Sequence, residues 1–184
     1  QEFIALARTR PGALNFASSG NGSGQHIAGE EFRVQAGLDI AHVPYRGAGP
    51  AVGDLIAGRV DIMFTSLFGL SDHVSAGRLR ILASTGRLRS SATPDVPTIA
   101  EAALPGYEHT SWQAVFAPPG LSLDIQARLN RAIQDIGARP AFAEALAAQA
   151  LEVATGAPED LARLVARERD AIAAIIRRTG IRIE

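Results

Sequence analysis

The chain has 184 residues, of which 47% are hydrophobic and 20% charged, a composition that supports a packed core and argues against wholesale disorder. Its 18 basic residues, all of them arginine, nearly balance 19 acidic ones, so the net charge of -1 argues against a protein that coats nucleic acid or an anionic membrane. Cysteine and lysine are absent, which excludes disulfides, thiol catalysis, cysteine metal sites and lysine-based chemistry.

The first part of the chain alternates between helical patterns and short apolar runs rich in β-branched residues, which predicts an α/β protein. Helices are predicted at 2–9, 24–36, 49–57, 67–76 and 99–102, and strands at 14–18, 40–45, 60–64 and 79–84. Proline and glycine residues break 86–110 into an irregular connection. The chain opens in what looks like the middle of a helix and lacks an initiating Met, so we expect it to be the later part of a longer polypeptide.

After about residue 112 the pattern changes from α/β to mainly helical. A strand is predicted at 112–117, helices at 122–137, 140–149 and 158–178, and short strands near 151–154 and at the chain end. A capping box with a proline at position 158 is predicted to start the last helix. We therefore expect a domain boundary near residues 112–118.

A loop of small residues follows the first predicted strand and precedes a helix; it consists of Ser18, Ser19, Gly20, Asn21, Gly22 and Ser23. The first N–H groups of a helix have no partner within the helix, and the helix dipole places partial positive charge there. Glycine lets the backbone turn and approach a ligand closely. The loop is therefore suited to a carboxylate or a phosphate. A flexible strand–helix turn with a serine cap explains the same residues equally well.

Two further strand ends are predicted to lie at the same edge of a parallel sheet, where ligand crevices of α/β proteins form. The second strand runs into Tyr45, Arg46 and Gly47, which offer a hydroxyl and a guanidinium. The third ends at Thr65 and Ser66, which offer two more hydroxyls. The simpler interpretation is a solvated surface arginine and two helix-capping hydroxyls.

No catalytic or metal-binding constellation stands out in the sequence. The four histidines, at positions 26, 42, 73 and 109, have no metal-ligand spacing. The Ser-Gly loop matches neither a Walker A loop nor a nucleophile elbow. We predict a protein that is not an enzyme and uses no metal and no cofactor. We interpret His26, on the first turn of a helix, as a structural residue or as one that supports the residues contacting a ligand.

Short motifs that occur in order cover essentially the whole chain. They include Phe16–Ser23 with His26, His42–Gly47, Pro94–Thr98 and Leu104–Tyr107. As an ordered set they resemble the solute receptors of tripartite tricarboxylate transporters, the Bug receptors of Gram-negative bacteria. The set is much more specific than any of its loops alone.

The resemblance implies a periplasmic protein with a type II binding-protein-like fold, a mixed sheet flanked by helices. In this family a small carboxylate lies between two domains and passes to a membrane permease. Residues 1–112 would form most of the second domain, and 113–184 a crossover strand and helices that return to a first domain largely preceding residue 1. The second domain's share of the site would be Ser18–Ser23 and Tyr45–Gly47. Many relatives have an acid where this chain has Thr65-Ser66, so we expect a plain organic acid and not an amino acid.

Two other functions fit the same pattern. One is the cytoplasmic effector-binding domain of a LysR-type regulator, which shares the general architecture. The other is a small α/β enzyme that uses Ser18–Gly24 for a phosphorylated substrate. A secretion signal upstream would favour the receptor, and a helix-turn-helix the regulator. We also expect the helices in 121–178 to expose apolar surface and to encourage dimerisation or domain swapping, and we expect no nucleic-acid partner.

Overall fold

A computed structural model describes residues 1–181. Three strands alternate with helices in the first third of the chain, and the last part is helical. The helices are α1 (Glu2–Thr9), α2 (Gly24–Ala36), α3 (Ala48–Ile56), α4 (Ser71–Ser75), α5 (Ile99–Ala102), α6 (Leu123–Gly137), α7 (Pro140–Ala147) and α8 (Pro158–Thr179). The strands are β1 (Leu14–Ser18), β2 (Ile40–Pro44) and β3 (Ile62–Met63).

The strands form one parallel sheet in the order β2-β1-β3. In this register Ser18 lies opposite Pro44, and Ala17 lies opposite Met63. The carboxyl ends of all three strands therefore meet at one edge, as the sequence predicts. The α/β class predicted from the alternation of elements is confirmed.

Helix α2 packs on the sheet through an aromatic core. Phe16 of β1, Phe32 of α2, Phe64 and Tyr107 are all buried, and the Tyr107 hydroxyl donates to the carbonyl of Ala28 at 3.0 Å. Helix α2 approaches β1 so closely that the Phe16 ring occupies the space a Cβ on residue 29 would need, which explains the glycine there. A smaller cluster around Ala17, Ala51 and Val60 joins α3 to the sheet. Both helices are thus held against the edge that carries the predicted site.

Several predicted strands are shorter or absent in the structure. The run 60–64 pairs only at Ile62–Met63, and 79–84 contributes a single bridge, Ser84 to Thr98. The strands predicted at 112–117 and 151–154 are wrong, because both segments are irregular. A strand exists only where a neighbour accepts its ladder hydrogen bonds, and the described residues provide none there. The strand predicted at the chain end lies outside the described residues.

Helix boundaries differ from the predictions by a few residues. Helix α4 is limited to Ser71–Ser75, and α7 ends at Ala147. The predicted capping box of α8 is half formed. The Asp160 carboxylate accepts from the N–H of Ala157 at 3.0 Å, but the alanine at the N-cap has no side-chain acceptor to complete the exchange.

Helices α6, α7 and α8 contain no buried residue within the described part of the chain. Helix α8 contacts α2 through Arg178 and Glu31, while α6 leaves a row of apolar side chains exposed: Leu123, Ile125, Leu129, Ile133 and Ile136. The exposure predicted for this region is therefore observed. Among residues 1–181, no helix has both the length and the apolar character needed to cross a bilayer.

Candidate functional site

The edge where β1, β2 and β3 end brings the three predicted segments into direct contact. The N–H of Tyr45 donates to the carbonyl of Ser18 at 3.0 Å, and the N–H of Gly47 donates to the carbonyl of Ser19 at 3.1 Å. The Gln25 side chain accepts from the N–H of Ser19 at 2.7 Å and donates to the Thr65 hydroxyl at 3.0 Å. The loop after β1 is thus tied to both neighbouring strand ends.

Most amides of the Ser18–Ser23 loop already have an acceptor, either in the loop or in the first turn of α2. The N–H of Gly20 donates to the Ser18 hydroxyl at 3.1 Å, and that of Ser23 donates to the Gly20 carbonyl at 3.2 Å. The N–H of Gly22 donates to Nδ1 of His26 at 3.1 Å. With backbone φ of 139° at Gly20 and 74° at Gly22, both glycines lie in the region that disfavours other residues, and these bonds hold them there.

Three amides remain for a ligand. The N–H groups of Asn21, Gly24 and Gln25 meet no acceptor among residues 1–181. Gly24 and Gln25 are the first two residues of α2, whose N-cap is Ser23, so their N–H groups carry the positive end of that helix dipole. The arrangement can accept a carboxylate or phosphate oxygen.

Two of the predicted site side chains, those of Ser18 and Tyr45, form hydrogen bonds within the fold. The Ser18 side chain is fully buried, and its hydroxyl lies 2.7 Å from Nε2 of His42. The Tyr45 hydroxyl donates to the Asp54 carboxylate at 2.8 Å, a bond that raises the pKa of the tyrosine. The same hydrogen bond, followed by one from Arg59, lowers the pKa of Asp54. Both hydroxyls are thus occupied by partners within the fold.

Four predicted residues lie exposed around the free amides: Asn21, Arg46, Thr65 and Ser66. Arg46 forms no ion pair within residues 1–181, so its charge is available to a ligand. Ser66 likewise makes no side-chain hydrogen bond to the part of the chain that the structure describes, whereas Thr65 is held by Gln25. The edge therefore offers backbone N–H groups, a guanidinium and hydroxyls, and it is electrically suited to an anion.

A stacked pair of imidazoles under the loop was not predicted as part of the site. The rings of His26 and His42 are parallel within 8°, with centroids 3.7 Å apart, and Phe16 stacks on His42 at 4.9 Å. Burial, and secondarily the charge of His26, lowers the pKa of His42 to about 4. Burial also lowers the pKa of His26, against an opposing effect of Glu30. Both rings are therefore neutral near pH 7.

A signal for this pair exists in the sequence. His42 is two residues after the buried Ile40, so strand alternation places it on the same face, and the sheet register sets it beside Phe16. His26 lies three residues after the N-cap Ser23, and so on the first turn of α2. Gln25 gave no comparable signal, because its two partners lie at distant points of the chain.

Comparison with curated sequences finds clear relatives. The chain is 44% identical over 170 residues to the UPF0065 protein in the tcbD-tcbE intergenic region of Pseudomonas sp. strain P51, covering 92% of this chain and 51% of that protein. It is 35% identical over 181 residues to Protein BugT of Bordetella pertussis, covering 98% of this chain and 56% of that protein. The chain thus spans about half the length of these relatives.

Comparison with solved structures shows the same fold. Rpa4515 of R. palustris, solved with adipate, superposes with a TM-score of 0.93 at 34% identity, covering 98% of this chain and 60% of that one. MatC of Rhodopseudomonas palustris, solved with bound malate, gives a TM-score of 0.80 at 28% identity, covering 95% of this chain and 60% of that one. The binding-protein-like fold implied by the resemblance is confirmed.

The family model described as "Tripartite tricarboxylate transporter family receptor" matches residues 1–181, the whole described chain. This family consists of transport receptors and not of enzymes, as the sequence predicts. Neither the regulator nor the phosphate-ester enzyme finds support in the relatives. The chain belongs to the receptor family of the tripartite tricarboxylate transporters.

Proposed function

We propose that this chain supplies one wall of an extracytoplasmic receptor that captures a small organic acid and delivers it to a tripartite membrane transporter. The observation that carries the proposal is the set of three free amides, those of Asn21, Gly24 and Gln25, at the edge where three parallel strands end. An anion held there can accept from N–H donors that belong to a structured loop and to the first turn of α2. Such donors lose little entropy when the ligand arrives.

A carboxylate is the anion that the site and the relatives favour together. A hydrogen bond to a charged group contributes roughly 1.5–3 kcal/mol, so two or three bonds are enough for micromolar binding after the entropic losses. Adipate and malate, named with two structural relatives, are both dicarboxylates. Arg46, which forms no ion pair among the described residues, provides a second positive feature, and a dicarboxylate has a second carboxylate with which to use it while the first stays on the amides.

A plain organic acid is proposed in preference to an amino acid. The strand end beside the free amides carries Thr65 and Ser66, which are exposed hydroxyls without charge. An ammonium group needs a carboxylate or several acceptors to replace its water. Hydroxyls alone offset that cost poorly, so an α-ammonium placed here would lower the affinity.

We place the receptor in the periplasm and propose a transporter permease as its partner. One structural relative is described as the periplasmic binding protein BugD, and it has a TM-score of 0.84 with this chain. A receptor of this kind must change shape when the ligand binds, because the permease can respond only to a difference between the two states.

We further propose that residues 1–112 are most of one domain and that 113–184 belong to the other. The exposed apolar row on α6 (Leu123, Ile125, Leu129, Ile133 and Ile136) supports this division, since a complete receptor would cover it. The relatives, which are about twice as long, contain enough additional chain to do so. Alternatively, a second copy of the present chain could cover the apolar row on α6.

Removal of one amide tests the binding mode. Gly24→Pro deletes the N–H at the first position of α2, where proline is tolerated, and the preceding Ser23 already has the extended backbone that proline requires. Gly24→Ala is the matched control, because it keeps the N–H and its Cβ meets only ordinary contact with His109. We expect isothermal titration of the full-length receptor with adipate and malate to show at least tenfold weaker binding for Gly24→Pro and little change for Gly24→Ala.

The charge of Arg46 is tested in the same titrations. Arg46→Gln is expected to weaken dicarboxylate binding three- to tenfold and to reduce its salt dependence, because an exposed charge acts weakly and is screened. Arg131→Gln, which removes an exposed charge from α6, is the control. If all four variants bind both dicarboxylates as the wild type does, or if the wild type binds phosphate esters better, the proposal is wrong.

A further inference from the structure

We propose that His26 and His42 are positioning residues for the ligand loop, acting as a stacked pair whose ring nitrogens hold the loop amides in place. His26 acts directly, since its Nδ1 accepts from the N–H of Gly22 at 3.1 Å. His42 acts through Ser18, whose hydroxyl lies 2.7 Å from Nε2 of His42 and accepts from the N–H of Gly20 at 3.1 Å. This inference rests on the proposed function, because it assigns a role in the same site.

The two held amides lie on either side of Asn21, whose N–H is free. With Gly20 and Gly22 fixed, the peptide planes around Asn21 have little freedom left. Without these bonds the two glycines, at backbone φ of 139° and 74°, would sample many conformations, and the loop would pay to become ordered on binding. The pair therefore acts on affinity by preorganising the loop, without touching the ligand.

The pair needs the neutral state of His26 to perform this role. The nitrogen that accepts from Gly22 must carry no proton, so the ring proton of His26 lies on Nε2. Protonation of Nδ1 replaces an acceptor with a donor that faces the N–H of Gly22. Two cationic rings stacked 3.7 Å apart would also repel each other.

Few charged or titratable groups pack around His26 and His42. On α2, Glu30 raises the pKa of His26, but this carboxylate is already paired with Arg33 at 2.7 Å. On β2, His42 is the other member of the pair. On β1, the uncharged ring of Phe16 lies beside both histidines, and Phe64, which follows β3, packs against Phe16. The segment that follows α5 places His109 beside Gly24, with its own pKa lowered by burial. Burial outweighs the one nearby acid, so the pair stays neutral at pH 7 and charges only in acid.

Two pairs of variants of the full-length receptor separate positioning from mere folding. His26→Asn keeps an acceptor near the place of Nδ1, and His42→Gln keeps a polar atom near the place of Nε2, whereas His26→Leu and His42→Leu remove these atoms. At pH 7.5 we expect the leucine variants to bind malate at least tenfold more weakly and the amide variants to stay within about threefold of the wild type. Leucine variants that are folded and bind like the wild type would overturn the proposal.

The pH profile of binding is the second readout. As the pH falls from 7.5 to 4, through the range in which both lowered pKa values allow protonation, we expect wild-type affinity to fall more steeply than that of the double variant His26→Asn/His42→Gln. The titration of malate itself affects both proteins equally and cancels in the comparison. Identical profiles in the two proteins would contradict the role of the neutral pair.

Hydrogen exchange in the absence of ligand distinguishes the two proposals. We expect the amide of Gly22 to exchange at least tenfold faster in His26→Leu than in the wild type, and that of Gly20 to do so in His42→Leu. If this occurs but the wild type binds no dicarboxylate, the loop is positioned as inferred and the proposed function is wrong. If exchange is unchanged, the positioning role is wrong whatever the ligand.

Discussion

The guanidinium of Arg178, in the last turn of α8, lies 3.0 Å from the carboxylate of Glu31, in the middle of α2. The two residues are 147 positions apart, and their ion pair joins the C-terminal helix to the helix whose first turn forms the candidate site. The Glu31 carboxylate is buried, and its second oxygen has no hydrogen-bond partner among the described residues. Arg178 thus compensates a charge that is largely shielded from water.

Loss of Arg178 is expected to destabilise the fold. Arg178→Met should lower the free energy of unfolding by about 1–2 kcal/mol, less than for a fully buried pair because the arginine side chain is half exposed. The double variant Glu31→Gln/Arg178→Met should recover part of this loss, since the uncompensated charge is gone. Urea denaturation of the wild type, Glu31→Gln, Arg178→Met and the double variant gives the coupling energy between the two side chains. Zero coupling would show that the ion pair does not hold α8.

Removal of the Tyr45 hydroxyl is expected to affect stability and not binding. Tyr45→Phe deletes the hydrogen bond to Asp54, which should lower the free energy of unfolding modestly, because water can replace a bond near the surface. The pKa of Asp54 should rise toward its ordinary value, because this hydrogen bond is the main cause of its lowering. Denaturation and NMR titration of the Asp54 carboxyl measure the two effects. A tenfold loss of ligand affinity without loss of stability would instead place the hydroxyl in the ligand site.

Acid is expected to weaken the fold through His42. Its pKa is about 4 in the folded chain and about 6.5 when unfolded, so the unfolded chain binds the proton more readily between these values. The free energy of unfolding should therefore fall as the pH drops from 6.5 toward 4. The contribution of this one group is at most ~1.4 kcal/mol per pH unit, because the two states differ by no more than one bound proton.

The control for the acid effect is His42→Gln, whose unfolding free energy should depend less on pH. Urea denaturation at pH 7, 6 and 5 is sufficient, since the carboxylates with lowered pKa values, Asp54 and Glu101, protonate at lower pH. Equal slopes for the two proteins would show that folded His42 binds its proton as readily as the unfolded chain does, so that its pKa is not lowered.

The apolar row on α6 is expected to make the isolated chain self-associate. Light scattering over a range of concentrations should show dimers or larger species for residues 1–184. Leu129→Ser and Ile133→Ser should shift the chain toward monomer, because they interrupt the exposed row at its centre. Val165→Ser, which replaces an exposed apolar residue of α8, is the matched control. A monomer at every concentration would contradict this prediction.

The local elements around the site were predictable from the sequence alone. The strands at Leu14–Ser18 and Ile40–Pro44 and the helix Gly24–Ala36 were predicted to within one residue, because periodic apolar positions and glycine stops report local conformation directly. The common edge of the three strand ends followed from parallel pairing. The prediction of a strand at 112–117 was wrong. A short apolar run has the pattern of a strand whether or not a neighbouring strand is available to pair with it.

Sequence by itself determined the fold class, the family and the position of the small-residue loop at a strand–helix junction. Tertiary structure alone decided which polar groups are free. In the folded chain the hydroxyls of Ser18 and Tyr45 contact partners within the fold. Gln25 bonds to both Ser19 and Thr65, and the ring of His26 stacks on that of His42. The physical reason is that the spacing of apolar residues depends only on the helix or strand to which they belong. A hydrogen bond instead requires that atoms from distant segments come within about 3 Å of each other.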